Sequence, residues 1–159
     1  EFRYYPESHC WKRPRGLGGE FVMAPELNVV LLVVGRVLFG GVLAFTGLSH
    51  FTQTEQMAGY AEYKGLPAPK FSVLASGGLL ILGGLGVTVG VFPVVAAVAL
   101  AAFLIVSAVA MHDFWAVPDE DRQDELNSFL KNVTLAGGAL VVAASATGTW
   151  ALSVGISPL

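Results

Sequence analysis

Residues 27–51 read LNVVLLVVGRVLFGGVLAFTGLSHF, a stretch with a single formal charge at Arg36 that closes on His50 and Phe51. About 20 apolar residues rising ~1.5 Å each are enough to cross a bilayer's hydrocarbon. The stretch therefore predicts a transmembrane helix with Arg36 near mid-depth. A cation there costs at least ~2.5–3.5 kcal/mol on insertion scales, so its side chain must meet protein, water or a ligand rather than lipid. At about 100° per residue, Arg36, Gly40, Ala44, Gly47 and His50 fall on one narrow stripe. Small residues on such a stripe let a neighbouring backbone come close. The charge is thus expected to point into a bundle.

Composition agrees. Of 159 residues, 54% are hydrophobic and 13% charged, and mean hydropathy is +0.65; soluble domains carry roughly 25% charge. Three further apolar runs, at about 71–92, 93–111 and 127–151, have spanning length. The expected class is all-α, an integral membrane four-helix transmembrane bundle that is multi-pass in the cell (plasma) membrane. A net charge of −3 points to no nucleic-acid partner. Membrane lipid is the expected surrounding, with a membrane-protein partner or a second copy of the chain alongside.

Residues 1–22, EFRYYPESHCWKRPRGLGGEFV, stand apart. They are polar, basic and interrupted by Pro6 and Pro14, with no apolar core of a secretory signal. Glu-Phe opens the segment and recurs at Glu20-Phe21, before Met23; a common cloning site encodes that dipeptide. The segment is expected to be non-native or disordered, with the bundle domain at 23–159. A native basic arm on the membrane surface is the competing reading. Cys10 is the sole cysteine, so no intrachain disulfide or thiol pair exists.

The connections carry their own signals. Residues 54–65, TEQMAGYAEYKG, suit a short amphipathic helix at the interface with Tyr60 and Tyr63 at headgroup depth. Gly65, Pro67 and Pro69 then break it. In the second span Ser76, Gly83 and Gly90 share a face, and Gly86 and Gly90 make a GxxxG pair, a packing device. Pro93 opens the third span at a position where proline is tolerated. After Met111, HDFWAVPDEDRQDELN places Phe114 and Trp115 as interfacial anchors, with Pro118 and the acids after it as a turn and helix start. In the fourth span Gly137, Ala144 and Gly148 share a face, and Trp150 marks the opposite interface.

An antiparallel bundle gathers His50, His112, Asp113, Lys131 and Asn132 at the loop end. Leaving residues 1–22 aside, that end holds Lys64, Lys70, Arg122 and Lys131, which places the loops in the cytoplasm; counting Arg3, Lys12, Arg13 and Arg15 cancels the asymmetry. Arg36 is the sharpest candidate, because an intramembrane charge reads as a functional site; the alternative is that it only ties helices together. Its counter-charge would come from Asp113, Glu55 or Glu62, or from an anionic or quinone-like head group. His50 and His112 suit proton or ligand contact near neutral pH, axial haem ligation as a lesser option, or simple capping of helix ends. The candidate ligand-binding set is Arg36, His50, His112, Asp113, Lys131 and Asn132, with no metal site. Asp119–Glu125 is an acid run that reads as a solvated face.

Absences narrow the field. Without paired cysteines there is no disulfide chemistry. No phosphate-binding loop is present, no chain of buried acids, and no clear inverted repeat.

An Arg in the first helix, then GLSHF (Gly47–Phe51) and SGGLLILGG (Ser76–Gly84), resembles the DoxX family of small four-helix membrane proteins. His112-Asp113-Phe114-Trp115, then Asn127–Asn132 and Gly137, extend the resemblance, which runs from Met23 to the C-terminus. The family takes its name from a subunit of a thiosulfate:quinone oxidoreductase, so the resemblance implies a membrane partner in redox or respiratory metabolism. Its members often have an acid near the start of the second helix where this chain has Ser76, which argues against an Arg–carboxylate pair inside the membrane. The expectation is a membrane subunit of a quinone-linked oxidoreductase complex, not catalytic alone, contacting quinone through Arg36 and His50. A carrier of small anionic solutes or lipids, and a structural assembly protein, are the alternatives.

Overall fold

The computed structural model describes residues 25–146 together with Trp150, Ser153 and Val154. Among these residues the chain forms helices α1 (Pro25–Thr52), α2 (Thr54–Tyr63), α3 (Pro69–Val89), α4 (Pro93–Met111) and α5 (Asp119–Ser145), and no strand. The readings of residues 1–22, Met23 and Gly148 lie outside the described residues. Four helices, all but α2, are long and apolar enough to cross a membrane.

The α1 stripe does what its small residues allow. A methyl group built on Gly40 would overlap the Gly84 carbonyl oxygen, and one on Gly84 would overlap that of Gly40. One turn pair further on, a methyl on Gly47 would lie 2.8 Å from the Gly77 oxygen. α1 and α3 therefore run antiparallel with their backbones nearly touching, and Thr88 Oγ1 returns its proton to the Gly84 carbonyl at 2.9 Å. α3 and α4 form a hairpin in which Leu100 fills the space left by Gly83. Gly90 makes the turn: its φ of 74° is left-handed, and the Gly90 and Val91 amides both close on the Gly86 carbonyl. Glycine suits such a helix end because it carries no Cβ. α5 packs along α4 and meets α1 through Phe39, whose ring lies against Gly138. Leu43, Leu80, Val87, Leu100, Leu104 and the α5 alanines Ala136, Ala139 and Ala143 make the shared core.

Outside this core the apolar side chains face outward. Phe45 and Leu82 are each 74% exposed, Phe71 72% and Val141 70%. Against water such a surface would drive aggregation; against acyl chains it is solvated. The molecule is a multi-pass membrane protein with lipid against its helices.

α5 begins at Asp119, directly after Pro118, where the sequence places a turn and helix start; the acids of its first turn complement the helix dipole and Arg122 pairs with Asp119 at 2.8 Å. At ~1.5 Å per residue its length is roughly 40 Å against ~30 Å of hydrocarbon, so its polar first turns extend beyond the lipid. Its other end is Ser145, short of residue 151. The short interfacial helix is present as α2, docked by the buried Ala58 and Ala61 against Val73 of α3.

Candidate functional site

The loop end of the bundle holds an open-sided cavity of about 770 Å³. α1 contributes His50, α2 contributes Met57, Tyr60 and Ala61, α3 contributes Ser72, Ser76 and Leu79, and α4 contributes Phe103, Ser107 and Met111, with His112 following it. Its walls are apolar with a few hydroxyl, amide and imidazole groups; among the described residues no Lys, Arg, Asp or Glu lines it. That suits a neutral, largely apolar ligand with polar groups at one end.

The two histidines share this cavity, and each has its Nδ1 engaged. His50 Nδ1 lies 3.3 Å from the Thr46 carbonyl oxygen, one turn back on α1. His112 Nδ1 lies 2.9 Å from Glu125 Oε2. Glu125 reaches it from the second turn of α5, with its other oxygen 2.8 Å from the Tyr60 hydroxyl and 3.7 Å from the Lys64 ammonium. Lys64 pairs directly with Asp113. The Lys64 side chain is 5% exposed, against 29% for Asp113. This cluster ties α2 and the turn after it to the α4–α5 connection, across the cavity's edge.

The charges tune one another. The Lys64 hydrogen bond holds the Asp113 carboxyl below its usual range. Burial alone would lower the Lys64 ammonium, but its bond to Asp113 and the nearby Tyr60 and Glu125 outweigh that and raise it. Burial, then the bond to Glu125, pushes the Tyr60 phenol up. At neutral pH Lys64 is an ammonium and Asp113 a carboxylate.

The other expected residues lie elsewhere. Arg36 is 6% exposed and lines a separate cavity of about 370 Å³ between α1 and α5, with Asn28, Val142 and Ser145. Trp150 lies there too, its ring centroid 5.2 Å from the guanidinium carbon and its indole N–H donating to the Ser145 carbonyl at 2.9 Å. A cation over an indole face is stabilised by the ring quadrupole, so Trp150 turns inward to Arg36. Asp113 is spoken for by Lys64, and Glu55 lies 2.7 Å from Lys70. Lys131 is exposed in a shallow depression with Asn127 and Thr134; neither it nor Asn132 lines the histidine cavity. Phe114 and Trp115 stack edge-on with Phe129, at centroid distances of 5.0 Å between themselves and 5.4 and 6.1 Å to Phe129, and pin the α4–α5 connection to α5.

Sequence reasoning passed over Lys64, Tyr60 and Glu125. Glu125 had a signal: stepping back from Ala143, Ala139 and Ala136 by three or four residues reaches Asn132, Phe129 and Glu125, the inward face of α5. Lys64 and Tyr60 had none.

Comparison with curated proteins and with solved structures returns no match. The family model for DoxX matches residues 31–113, just over half of the chain. That span runs from the first turns of α1, through Arg36 and His50, to His112 and Asp113, so it takes in both histidines of the cavity. The chain belongs to the DoxX family.

Proposed function

We propose that the protein is a membrane subunit of a quinone-linked oxidoreductase complex in the cell membrane, not catalytic alone, and that its loop-end cavity receives a quinone head group. The observation that carries this reading is the neutral, mostly apolar cavity of about 770 Å³ with His50 and His112 on its wall. A quinone matches that chemistry: an uncharged ring with two oxygens on an apolar tail, entering from the lipid beside it. Aliphatic and aromatic walls take the ring and the start of the tail, and the imidazoles meet the oxygens. The family supports the reading in kind. In nanodiscs, the His50→Phe/His112→Phe double variant should bind 2-decyl-1,4-benzoquinone and its hydroquinone, taken together, about thirtyfold more weakly than wild type, for two hydrogen bonds of about 1 kcal/mol each. Isothermal titration calorimetry reads this directly. Unchanged affinity, or no binding to wild type, would sink the reading. Gentle extraction from native membranes followed by native mass spectrometry should also show a second polypeptide in fixed ratio.

Arg36 favours a second reading, a carrier for a small anion. It is a cation about midway along α1 that lines a cavity between α1 and α5. Proteoliposome uptake of an anion that is lost in Arg36→Ala would support it; no flux in wild type would remove it.

A further inference from the structure

A neutral imidazole carries one N–H, and where that proton sits decides whether the other nitrogen accepts or donates. Both cavity histidines have the question answered by their surroundings. The Thr46 carbonyl can only accept, so His50 donates from Nδ1. Glu125 receives the Tyr60 hydroxyl on one oxygen and has the Lys64 ammonium 3.7 Å away. It is therefore a carboxylate and an acceptor, and His112 donates to its other oxygen from Nδ1. A second-layer carboxylate fixing a histidine tautomer is a known way to present the far nitrogen as a lone pair. In each ring, when it is neutral, Nε2 is then the nitrogen left with a lone pair for a ligand.

From this we infer that the cavity is selective for the reduced form of its ligand, an aromatic diol, over the oxidised dione, and that Glu125 is the positioning residue that sets this preference at His112. The inference rests on the proposed quinone reading. A diol brings two O–H donors to two acceptors, whereas a dione brings carbonyl oxygens against lone pairs and leaves both sides unsatisfied. A site built to bind a hydroxyl discriminates strongly against the analogue that cannot donate, because its own polar groups are then left unpaired. The lining also speaks against the main competitor for two imidazole lone pairs, a haem. Its propionates need cations, and among the described residues neither Lys nor Arg lines the cavity.

The test uses the full chain in nanodiscs under argon, with 2-decyl-1,4-benzoquinone and its hydroquinone as probes. Wild type should bind the hydroquinone at least tenfold more tightly than the quinone. Glu125→Gln should reduce that ratio to about threefold or less, chiefly by tightening quinone binding, since a glutamine amide can donate to Nδ1 as well as accept from it and so allows an Nε2–H that donates to a quinone oxygen. Nitrogen NMR of ¹⁵N-histidine protein gives a readout that folding alone would not move. His112 should be protonated on Nδ1 in wild type and shift to a mixture in Glu125→Gln. That wild-type spectrum decides the matter even if the variant does not fold: an Nε2–H tautomer at His112 overturns the inference. Equal affinity for the two probes overturns it while leaving the quinone reading standing. Binding of neither probe removes that reading as well, and a haem absorption band in the purified protein overturns both.

Discussion

Gly84→Val is expected to destabilise the protein by about 3 kcal/mol or more, the upper end of overpacking losses. The new side chain would have to enter space already held by the Gly40 carbonyl, with the Ala44 amide nitrogen 2.7 Å and the Ala44 Cβ 3.0 Å from its first carbon. These are backbone atoms of α1 and the Cβ nearest them, so no rotamer change can make room; α1 and α3 must separate. Membrane helices have little hydrophobic drive to hold them together in lipid, and close packing is their main cohesion. Gly78→Ala is the matched control, since nothing lies within 4 Å of a Cβ there. It should be neutral or slightly stabilising, by the helix propensity of alanine. Unfolding in mixed micelles, followed by loss of the monodisperse peak in size-exclusion chromatography, separates the two. Similar midpoints would show that α1 and α3 are not held at the Gly40–Gly84 crossing.

Lys64→Met should be nearly as damaging, at roughly 2–4 kcal/mol, because it strips the cation from a mostly buried cluster and leaves two carboxylates facing each other. Glu125 and Asp113 would then both need protons or water. Losing the contact should also loosen α2 from the cavity's edge, so ligand affinity falls with stability. The Lys64→Met/Asp113→Asn double variant should regain part of the loss, since it removes one of the stranded charges; a double variant as weak as the single would mean that Lys64 acts by packing its stem. The pH dependence has a definite sign. Asp113 is depressed in the folded protein, so its contribution is present above its unfolded value and lost as pH falls below about 4. Lys64 is raised, so its contribution is present below its unfolded value and lost only as pH rises beyond about 10.5. Wild type should therefore lose stability at both limits, and Lys64→Met should keep only the part of the alkaline edge that the raised Tyr60 phenol supplies. Thermal midpoints in detergent across that range check both limits.

Much of this fold was legible before any coordinates. Four apolar runs of spanning length admit few alternatives, because a backbone in hydrocarbon must satisfy its own hydrogen bonds and a helix does so within one segment. The stripe from Arg36 to Gly47 correctly named the face on which α1 would meet a neighbour, since helical phase depends only on residue spacing. The expected grouping of residues was legible only in part. Topology brought His50, His112 and Asp113 to the same end, as antiparallel helices must. Arg36 and its proposed counter-charges were a different matter: mid-depth in α1 is too far from the loop end for Asp113 to reach, and Lys64 was nearer.

The amino-acid sequence alone therefore determined the helices, their membrane setting and the packing stripe of α1, because those follow from local spacing and from the cost of exposing backbone to lipid. The tertiary structure decided which side chains meet. Lys64 and Asp113 are 49 residues apart, Tyr60 and Glu125 are 65, and Trp150 turns inward to Arg36 from beyond the end of α5. Such pairings depend on how helices rotate and slide against one another, which is settled by packing across the whole bundle and leaves no periodic trace in the chain. Glu125, which bonds His112, is itself held by one of those distant contacts, the Tyr60 hydroxyl.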